Sequence, residues 1–473
     1  MASTKRYFFC GIGGSGMLPL SLIVKAGGAD VSGSDRALDQ GRTLPKFEFL
    51  RAQGIKLFAQ DGSGVDRSDL TVVTSAAVEE TVPDVVAARR VGAGLITRAE
   101  LLAHLFNEAP VAIGVAGTSG KSTTTAMIGW ILEANGRRPT IVNGAVMKNF
   151  VTSEVPFASA AVGEGKLFVC EVDESDGSIA HYRPKIALLN NVALDHKSID
   201  ELRSLFRGFV AKAETAVLGV DNSETAAIAD ALPASKRVTW SLHDPRADVF
   251  ASRLHPKPDG VLFDLCEKGN LVCSDVSLPV PGRHNVANAL AALAGCRAAG
   301  VELKEGARAL GRFAGVRRRL EVVGSRNGVT VIDDFAHNPD KIAATLRTLH
   351  EFPGRLLLMF QPHGFGPLRL MREGFIETFG QLMTRDDVLV MPEPVYFGGT
   401  VERSVSSADI VSGIRAQGRS AQAFPDRPSC GRALAEMARA GDRIVVMGAR
   451  DDTLSQFASE LLEQVSERLR MHD

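Results

Sequence analysis

The segment Val111–Thr125, with the sequence VAIGVAGTSGKSTTT, constrains the fold of this 473-residue chain more than any other. It begins with the β-branched, apolar residues of a buried strand, breaks at two glycines and continues as a helical pattern through Leu132. A strand, a glycine loop, Lys-Ser and a helix make a phosphate-binding loop, in which backbone N–H groups and the helix N-terminus attract phosphate oxygens. We therefore predict that ATP or GTP binds here.

The side chains of this loop have distinct predicted roles. Lys121 reaches the terminal phosphates, and the Ser122 hydroxyl is offered to Mg²⁺. The spacing is shorter than usual, because Val115 stands where the common pattern has a glycine. The alternative is a structural turn with a surface lysine, which the two glycines and the Lys-Ser pair disfavour. The predicted nucleotide contacts are Gly117, Thr118, Ser119, Gly120, Lys121, Ser122 and Thr123.

The length of 473 residues predicts two to four domains, and a composition with 45% hydrophobic and 23% charged residues is ordinary for a globular protein. The net charge of -1 gives no electrostatic reason for nucleic acid or an anionic membrane as a partner. Its apolar runs are shorter than the roughly 18 residues that cross a bilayer. The six scattered cysteines are expected to be reduced thiols. We expect a cytoplasmic protein, monomeric or dimeric.

The first predicted domain, residues 1–108, has a glycine-rich turn after the strand Tyr7–Cys10. A helix to Ala26 and a second strand before Asp35 follow, as in Rossmann-like folds that bind a diphosphate. The ligand is either NAD(P) or a nucleotide sugar, and the motif alone leaves both open. Another strand, Thr71–Ala77, ends in hydroxyl residues. The predicted contacts are Gly11, Gly13, Gly14, Ser15, Gly16, Asp35 and Ser75.

The second predicted domain, residues 109–313, places acidic and amide side chains after its strands. Glu171 ends the strand Leu167–Glu171 and is the predicted Mg²⁺ ligand, because carboxylates near a phosphate loop hold the metal of the nucleotide. The acidic residues that follow suit solvation or substrate contacts. His196 lies just past the strand Ile186–Asn191, where it is expected to face the same site. The side chains of His284, Asn285 and Asn288 either read an adenine edge or cap a helix.

The third predicted domain, residues 314–473, continues the alternation of strands and helices. Strands are expected at Val329–Phe335, Leu356–Phe360, Val388–Met391 and Arg443–Met447, with a final helix over Leu454–Leu469. This alternation predicts a parallel sheet flanked by helices, so the fold class is α/β with three domains.

Eight motifs carry a family resemblance: GIGGSGM, GTSGKSTTT, EVDESDGS, NNVALDH, GRHNVANALAA, RRRLE, DDFAHNP and FQPH, in that order. They resemble the Mur ligases of bacterial peptidoglycan synthesis over essentially the whole chain. The resemblance implies a Rossmann-like UDP-sugar domain, a central ATPase domain with the phosphate loop and a Rossmann-like domain for the amine substrate. It also implies ATP and Mg²⁺ as cofactors and excludes nicotinamide from the first domain.

The resemblance implies the following reaction. ATP phosphorylates the lactyl carboxylate of UDP-N-acetylmuramate, and the amine of L-alanine attacks the acyl phosphate, with release of ADP and phosphate. The L-alanine is either free or heads the peptide L-Ala-γ-D-Glu-meso-diaminopimelate.

The resemblance also implies residue roles. Lys121 stabilises charge on the γ-phosphate, Ser122 and Glu171 hold one Mg²⁺, and His196 holds a second. Near the adenine are His284 and Asn288. Arg319 and Asp334 reach the phosphates and ribose, and His337, His363 and Arg369 are assigned to the amine substrate.

Several positions depart from the family pattern. Ser119 replaces a histidine, and Phe206 stands near the position where other branches have a modified lysine, while Lys212 is off register. After FQPH, Gly364 and Pro367 replace arginines that bind the carboxylate of the amino acid, and Arg369 is the available substitute. The loss of this contact gives a slight preference for a peptide over free L-alanine.

Three other functions stay open from the residues alone. An NAD-linked oxidoreductase would use the glycine turn but leaves Lys121, Glu171 and His196 without a role. A non-catalytic nucleotide-sugar sensor would not need those three side chains. A ligase of the same superfamily that acts on folates or polyamides would lack the first glycine turn.

Overall fold

The computed structural model describes residues 5–75, 78–193, 197–394, 404–449, 451 and 453–470. The chain divides into two compact units. The first comprises residues 1–255, 261–279 and 284–316, and the second comprises residues 256–260, 280–283 and 317–473. No helix in the described ranges is long and apolar enough to cross a membrane.

The first sheet is parallel and has the strand order β3-β2-β1-β4-β5 among the described residues. Its strands are β1 (Arg6–Cys10), β2 (Asp30–Ser34), β3 (Lys56–Phe58), β4 (Thr71–Thr74) and β5 (Gly94–Thr97). The accompanying helices are α1 (Met17–Ala26), α2 (Arg36–Asp39), α3 (Leu44–Ala52), α4 (Pro83–Val91) and α5 (Arg98–Glu108). The glycine turn connects β1, the central strand, to α1.

The second sheet has the order β15-β14-β13-β12-β11-β10-β6-β9-β7-β8 within the described ranges. Its strands are β6 (Val111–Ala116), β7 (Thr140–Val142), β8 (Ala160–Ala161), β9 (Leu167–Glu171), β10 (Ile186–Leu189), β11 (Thr215–Gly219), β12 (Arg237–Ser241), β13 (Val249–Lys257), β14 (Gly260–Glu267) and β15 (Asn270–Leu278). The α-helices are α6 (Lys121–Ala134), α7 (Ile199–Ala211), α8 (Ser223–Asp230), α9 (Arg283–Ala298) and α10 (Leu303–Leu310), and short 3₁₀ turns cover Lys148–Phe150, Ser178–His181 and Ala234–Lys236.

The third sheet lies in the second unit and has the order β16-β17-β21-β18-β19-β20 among described residues. Its strands are β16 (Glu321–Arg326), β17 (Val329–Asp334), β18 (Leu356–Gln361), β19 (Val388–Pro392), β20 (Ser420–Phe424) and β21 (Arg443–Gly448). The helices are α11 (Pro339–His350), α12 (Phe365–Leu370), α13 (Arg372–Leu382), α14 (Ser407–Ala416), α15 (Arg427–Met437) and α16 (Thr453–Arg470).

The predicted α/β class with parallel sheets is confirmed, with local exceptions. The pairs β7–β8, β14–β15 and β16–β17 are antiparallel. Strands β12 to β15 were not predicted, because no motif marks this part of the sequence. The domain boundaries at 108 and 313 stay predictions.

Aromatic packing holds the two sheets of the first unit together. Phe106 of α5 lies edge-on to Phe168 of β9, with ring centroids 5.8 Å apart, and to Tyr182 at 5.2 Å. Phe106 is fully buried in a core that also contains Phe9 of β1 and Phe206 of α7. Burial of each such ring stabilises the fold by about 2 kcal/mol. Because this core contains residues of both sheets, the glycine turn and the phosphate loop belong to one packed body.

Candidate active site

Strand order places three strand ends at the phosphate loop. Strand β6 lies between β9 and β10, with Val115 paired to Glu171 and Ala116 paired to Leu189. Because parallel strands share an edge at their carboxyl ends, Glu171 and the asparagines after β10 flank the loop.

The loop requires glycine at both of its predicted positions. Gly117 has φ +129° and Gly120 has φ +82°, and Gly120 is the N-cap of α6. A Cβ on Gly120 would overlap Oδ1 of Asn288, and one on Gly117 would lie 3.1 Å from the backbone of Asn191. Both the backbone conformation and the close packing therefore exclude side chains here.

Asn191 fixes the loop from the side of β10. Its Oδ1 accepts from the Ser119 backbone N–H at 3.0 Å, and its backbone oxygen accepts from the Thr118 N–H at 3.1 Å. The Thr118 hydroxyl also exchanges hydrogen bonds with the backbone of Ala193. The first N–H groups of the loop are therefore bonded to protein, and the N-terminus of α6 is the part that suits phosphate oxygens.

Lys121 forms a buried ion pair. Its Nζ lies 2.9 Å from Oε2 of Glu174 and also donates to the Gly117 carbonyl at 2.8 Å. The side chains of Lys121 and Glu174 are 14% and 5% exposed. Burial opposes the charge of Lys121, but the carboxylates of Glu174, Glu171 and Asp173 prevail and raise its pKa. Lys121 is thus held as a cation at the start of α6.

Glu171 stands beside the segment that follows β7. Its Oε2 accepts from the Gly144 N–H at 2.8 Å. The described residues contain no group of three His, Cys, Asp or Glu side chains that could hold a metal by themselves. A single carboxylate beside a hydroxyl and nucleotide phosphates still suits Mg²⁺, which keeps several waters and takes few protein ligands. His196, the other predicted metal ligand, lies outside the described residues.

Amide side chains connect α9 to the phosphate loop. Asn288 is buried, and its Oδ1 lies 3.3 Å from the Thr124 hydroxyl. Asn190 Nδ2 donates to the same hydroxyl at 2.9 Å, and Asn288 Nδ2 donates to Asn285 Oδ1. Asn288 therefore lies against the first turn of α6 and supports it. His284 is in the same helix, and its predicted adenine contact stays a prediction.

A cavity of about 600 Å³ extends through the first unit from the glycine turn to the end of β9. Six of the seven residues predicted for the UDP sugar line it, and so do Glu171 and Asp173. The six predicted residues are Gly11, Gly14, Ser15, Gly16, Asp35 and Ser75.

Gly13 and Asp35 shape the turn. The Gly13 N–H donates to Asp35 Oδ2 at 2.8 Å, and Asp35 Oδ1 accepts from the Ala37 N–H to cap α2. A Cβ on Gly13 would lie 2.9 Å from the Phe47 ring. Gly13 thus serves close packing and does not line the cavity, and both oxygens of Asp35 are occupied by backbone groups.

Sequence reasoning missed three arginines that line the cavity, namely Arg36, Arg42 and Arg98. Arg98 begins α5, lies 3.6 Å from Asp176, and would contact any side chain at Gly16. Cations suit a ligand with a diphosphate and a carboxylate. The three arginines belong to no glycine motif. Their position after the ends of β2 and β5 is the only sequence signal that could have indicated a role at the site.

Three residues of the second unit that were predicted to contact substrates lie in an aromatic cluster. The rings of His337 and His363 lie 5.3 Å apart, and Arg319 lies 4.4 Å above the Phe335 ring. His337 Nδ1 is 2.8 Å from the Phe335 carbonyl, so this nitrogen carries the proton and donates. The pKa of His337 is lowered to about 3, first by burial and then by the nearby Lys341, His363 and Arg319. The hydrogen bond to the Phe335 carbonyl opposes this shift. His337 is neutral at pH 7.

Two other predicted residues of this unit have different environments. Asp334 is buried, and its oxygens accept from the Leu320 N–H at 3.2 Å and the Thr345 hydroxyl at 2.5 Å. It therefore stabilises the end of β17, and its ribose contact stays a prediction. Arg369 is exposed near the end of α12, and its role also stays a prediction.

Three family models match consecutive parts of the chain. They are the Mur ligase family, catalytic domain (residues 6–109), the Mur ligase middle domain (115–296) and the Mur ligase, glutamate ligase domain (318–450). A UDP-N-acetylmuramate–L-alanine ligase of Paracoccus denitrificans (strain Pd 1222) is 34% identical over 483 residues, covering 97% of this chain and 96% of the relative. The chain belongs to the Mur ligase family.

Solved structures of Mur ligases agree with this assignment. A UDP-N-acetylmuramate-alanine ligase from Thermotoga maritima matches with a TM-score of 0.76 and 25% identity, over 99% of this chain and 100% of the other. A UDP-N-acetylmuramate:L-alanyl-γ-D-glutamyl-meso-diaminopimelate ligase from Neisseria meningitides matches with a TM-score of 0.57 and 27% identity, over 67% of this chain and 100% of the other.

Membership resolves two of the open alternatives. A Mur ligase is an ATP-dependent amide ligase, so this chain is an enzyme of that class. The NAD-linked oxidoreductase and the non-catalytic sensor are therefore set aside, and the three-domain α/β architecture predicted from the sequence is confirmed.

Proposed function

We propose that this Mur ligase joins the amine of L-alanine to the lactyl carboxylate of UDP-N-acetylmuramate through an acyl phosphate, with release of ADP and phosphate. The observation that carries the proposal is the cavity that extends from Gly11–Gly16 to Glu171 and Asp173. With a diphosphate at the glycine turn, the sugar and its carboxylate would extend along the cavity toward Glu171 and Asp173. The reaction would take place in the cytoplasm, with the protein as a monomer or a dimer.

The side chains of the first unit would activate the carboxylate. A carboxylate is a poor electrophile, so it must first receive the γ-phosphoryl group. Lys121 would leave Glu174 and the Gly117 carbonyl to follow negative charge on the transferring phosphoryl group. The N-terminus of α6 adds backbone donors at the same point.

Mg²⁺ would be held by Ser122 and Glu171, with His196 as the ligand of a second ion. When bound, it would neutralise charge on the nucleotide phosphates. Glu171 already accepts the Gly144 N–H through one oxygen, which fixes the direction of its carboxylate.

His337 is the proposed partner of the amine. Since Nδ1 donates to the Phe335 carbonyl, Nε2 of the neutral ring is an acceptor. An attacking amine must present its lone pair to the acyl phosphate, and an N–H bond to Nε2 would orient it. The ring of His363 lies 5.3 Å from that of His337.

The relatives favour free L-alanine over a peptide. The relative at 34% identity, which spans 97% of the chain, is named for L-alanine, and so are other curated relatives that are 32–35% identical to this chain. They do not support the slight preference for a peptide that the loss of arginines at Gly364 and Pro367 suggested. Gly364 has φ +135°, a backbone conformation that favours glycine, and it is the N-cap of α12.

Phosphate release from ATP tests this proposal. With UDP-N-acetylmuramate present, we expect free L-alanine to support at least tenfold faster release than the L-Ala-γ-D-Glu-meso-diaminopimelate peptide, and each substrate alone to support almost none. Faster release with the peptide would reassign the amine substrate. No release with either amine, and no binding of UDP-N-acetylmuramate by calorimetry, would contradict the proposal.

A further inference from the structure

Asn143 has an unusual hydrogen-bond balance for a buried residue. It is 2% exposed, and its Nδ2 donates to the Ala145 carbonyl at 3.1 Å while its backbone N–H donates to Ser159. Its Oδ1 has no hydrogen-bond partner among the residues that the structure describes. The Ala145 carbonyl fixes the orientation of the amide, since the opposite flip would place two oxygens together.

Asn143 is also placed at the cavity. Within the described ranges, five residues have a buried side-chain nitrogen or oxygen without a partner, and Asn143 is the one among them that lines the cavity. Buried acceptors are nearly always satisfied, so an orphan in a ligand cavity points to a donor on the ligand. The remaining four are Thr125, Asn190, Trp240 and Arg443.

The neighbours of Asn143 show which part of the substrate it would meet. Val142 pairs with Cys170, so Asn143 is level with Glu171, and the Gly144 N–H bonds directly to that carboxylate. Under the proposed function, the lactyl carboxylate on C3 of the sugar lies toward Glu171. The acetamido group on C2 is the adjacent substituent, and its N–H is a donor that cannot accept.

We propose that Asn143 is a specificity-determining residue whose Oδ1 accepts a hydrogen bond from the acetamido N–H of the sugar. This inference rests on the proposed function for its substrate. Because Asn143 is almost fully buried, the substrate must open this part of the wall slightly, and the exposed Gly144 allows that movement.

Steady-state kinetics of Asn143→Ala test the inference. We expect the KM for UDP-N-acetylmuramate to rise about tenfold, as for the loss of one neutral hydrogen bond, with kcat and the KM for ATP changed less than threefold. Asn149→Ala is the matched control, because its amide bonds Arg312 and Ala314 and it does not line the cavity. That variant should leave all three constants unchanged.

A substrate analogue tests the same hydrogen bond in the wild-type enzyme, so that this result does not depend on whether the variant folds. In this analogue an ester oxygen replaces the acetamido N–H. Wild-type enzyme should bind it about tenfold more weakly than UDP-N-acetylmuramate, and Asn143→Ala should bind both equally. An unchanged KM in Asn143→Ala, or equal binding of both sugars by the wild type, would overturn the inference. If the wild type uses neither UDP-N-acetylmuramate nor the ester analogue, the proposed function itself fails. That result is distinct from a failure of the inference about Asn143.

Discussion

Replacing Lys121 with alanine lowers kcat by about 10³, because the cation that follows the transferring phosphoryl charge is lost. The same change leaves Glu174 buried at 5% exposure without its partner. Breaking a buried ion pair in this way costs about 3 kcal/mol, so the free energy of unfolding falls as well. Phosphate release and chemical denaturation measure the two effects separately.

A second substitution separates catalysis from stability. The double variant Lys121→Ala/Glu174→Gln removes the unpaired carboxylate, so it regains most of the stability but none of the activity. Lys185→Ala is the matched control, since its ion pair with Glu214 is 3.7 Å long and exposed, and such pairs contribute little. A single Lys121→Ala variant within tenfold of wild-type kcat would show that Lys121 does not act on the phosphoryl group.

Replacing Gly120 with alanine abolishes ATP binding at concentrations that saturate the wild type. The added Cβ would overlap Oδ1 of Asn288 and lie 3.0 Å from Nδ2 of Asn190, at a residue with φ +82°. Strain and overpacking together cost about 3 kcal/mol. Relief requires α9 or the loop to move, and either movement displaces the first turn of α6. Calorimetric titration with ATP and a denaturation curve measure the change.

Gly136→Ala provides the control for backbone strain alone. Gly136 has φ +70°, but no atom lies within 4 Å of an added Cβ. This variant should lose about 1 kcal/mol of stability and keep normal ATP affinity. If both variants bind ATP equally well, the packing of Gly120 against Asn288 has no part in the site.

The sequence predicted those parts of the fold that depend on local pattern. The strand Leu167–Glu171 has the predicted bounds, and α6 begins at Lys121 as the glycine loop requires. The strand predicted as Ile186–Asn191 ends at Leu189, and the side chains of the next two residues bond to the first turn of α6 and to the phosphate loop. Such a boundary depends on tertiary contacts that a strand pattern does not contain.

The parts of the site that escaped prediction depend on distant segments. Arg98 lines the cavity from the start of α5, 82 residues after Gly16, and no motif around it indicates a ligand. Glu174 is one of the acidic residues after Glu171 for which the sequence predicts solvation or substrate contacts, but it is buried against Lys121. The orphaned oxygen of Asn143 is visible only once the neighbours of its amide are known.

Isotope transfer from the sugar carboxylate tests the central claim most directly. UDP-N-acetylmuramate labelled with ¹⁸O in both lactyl carboxylate oxygens is turned over with ATP and L-alanine, and the released phosphate is analysed by mass spectrometry. An acyl phosphate leaves one carboxylate oxygen on the phosphate, so we expect one ¹⁸O atom per phosphate released. Unlabelled phosphate accompanied by amide formation would show that ATP does not activate this carboxylate.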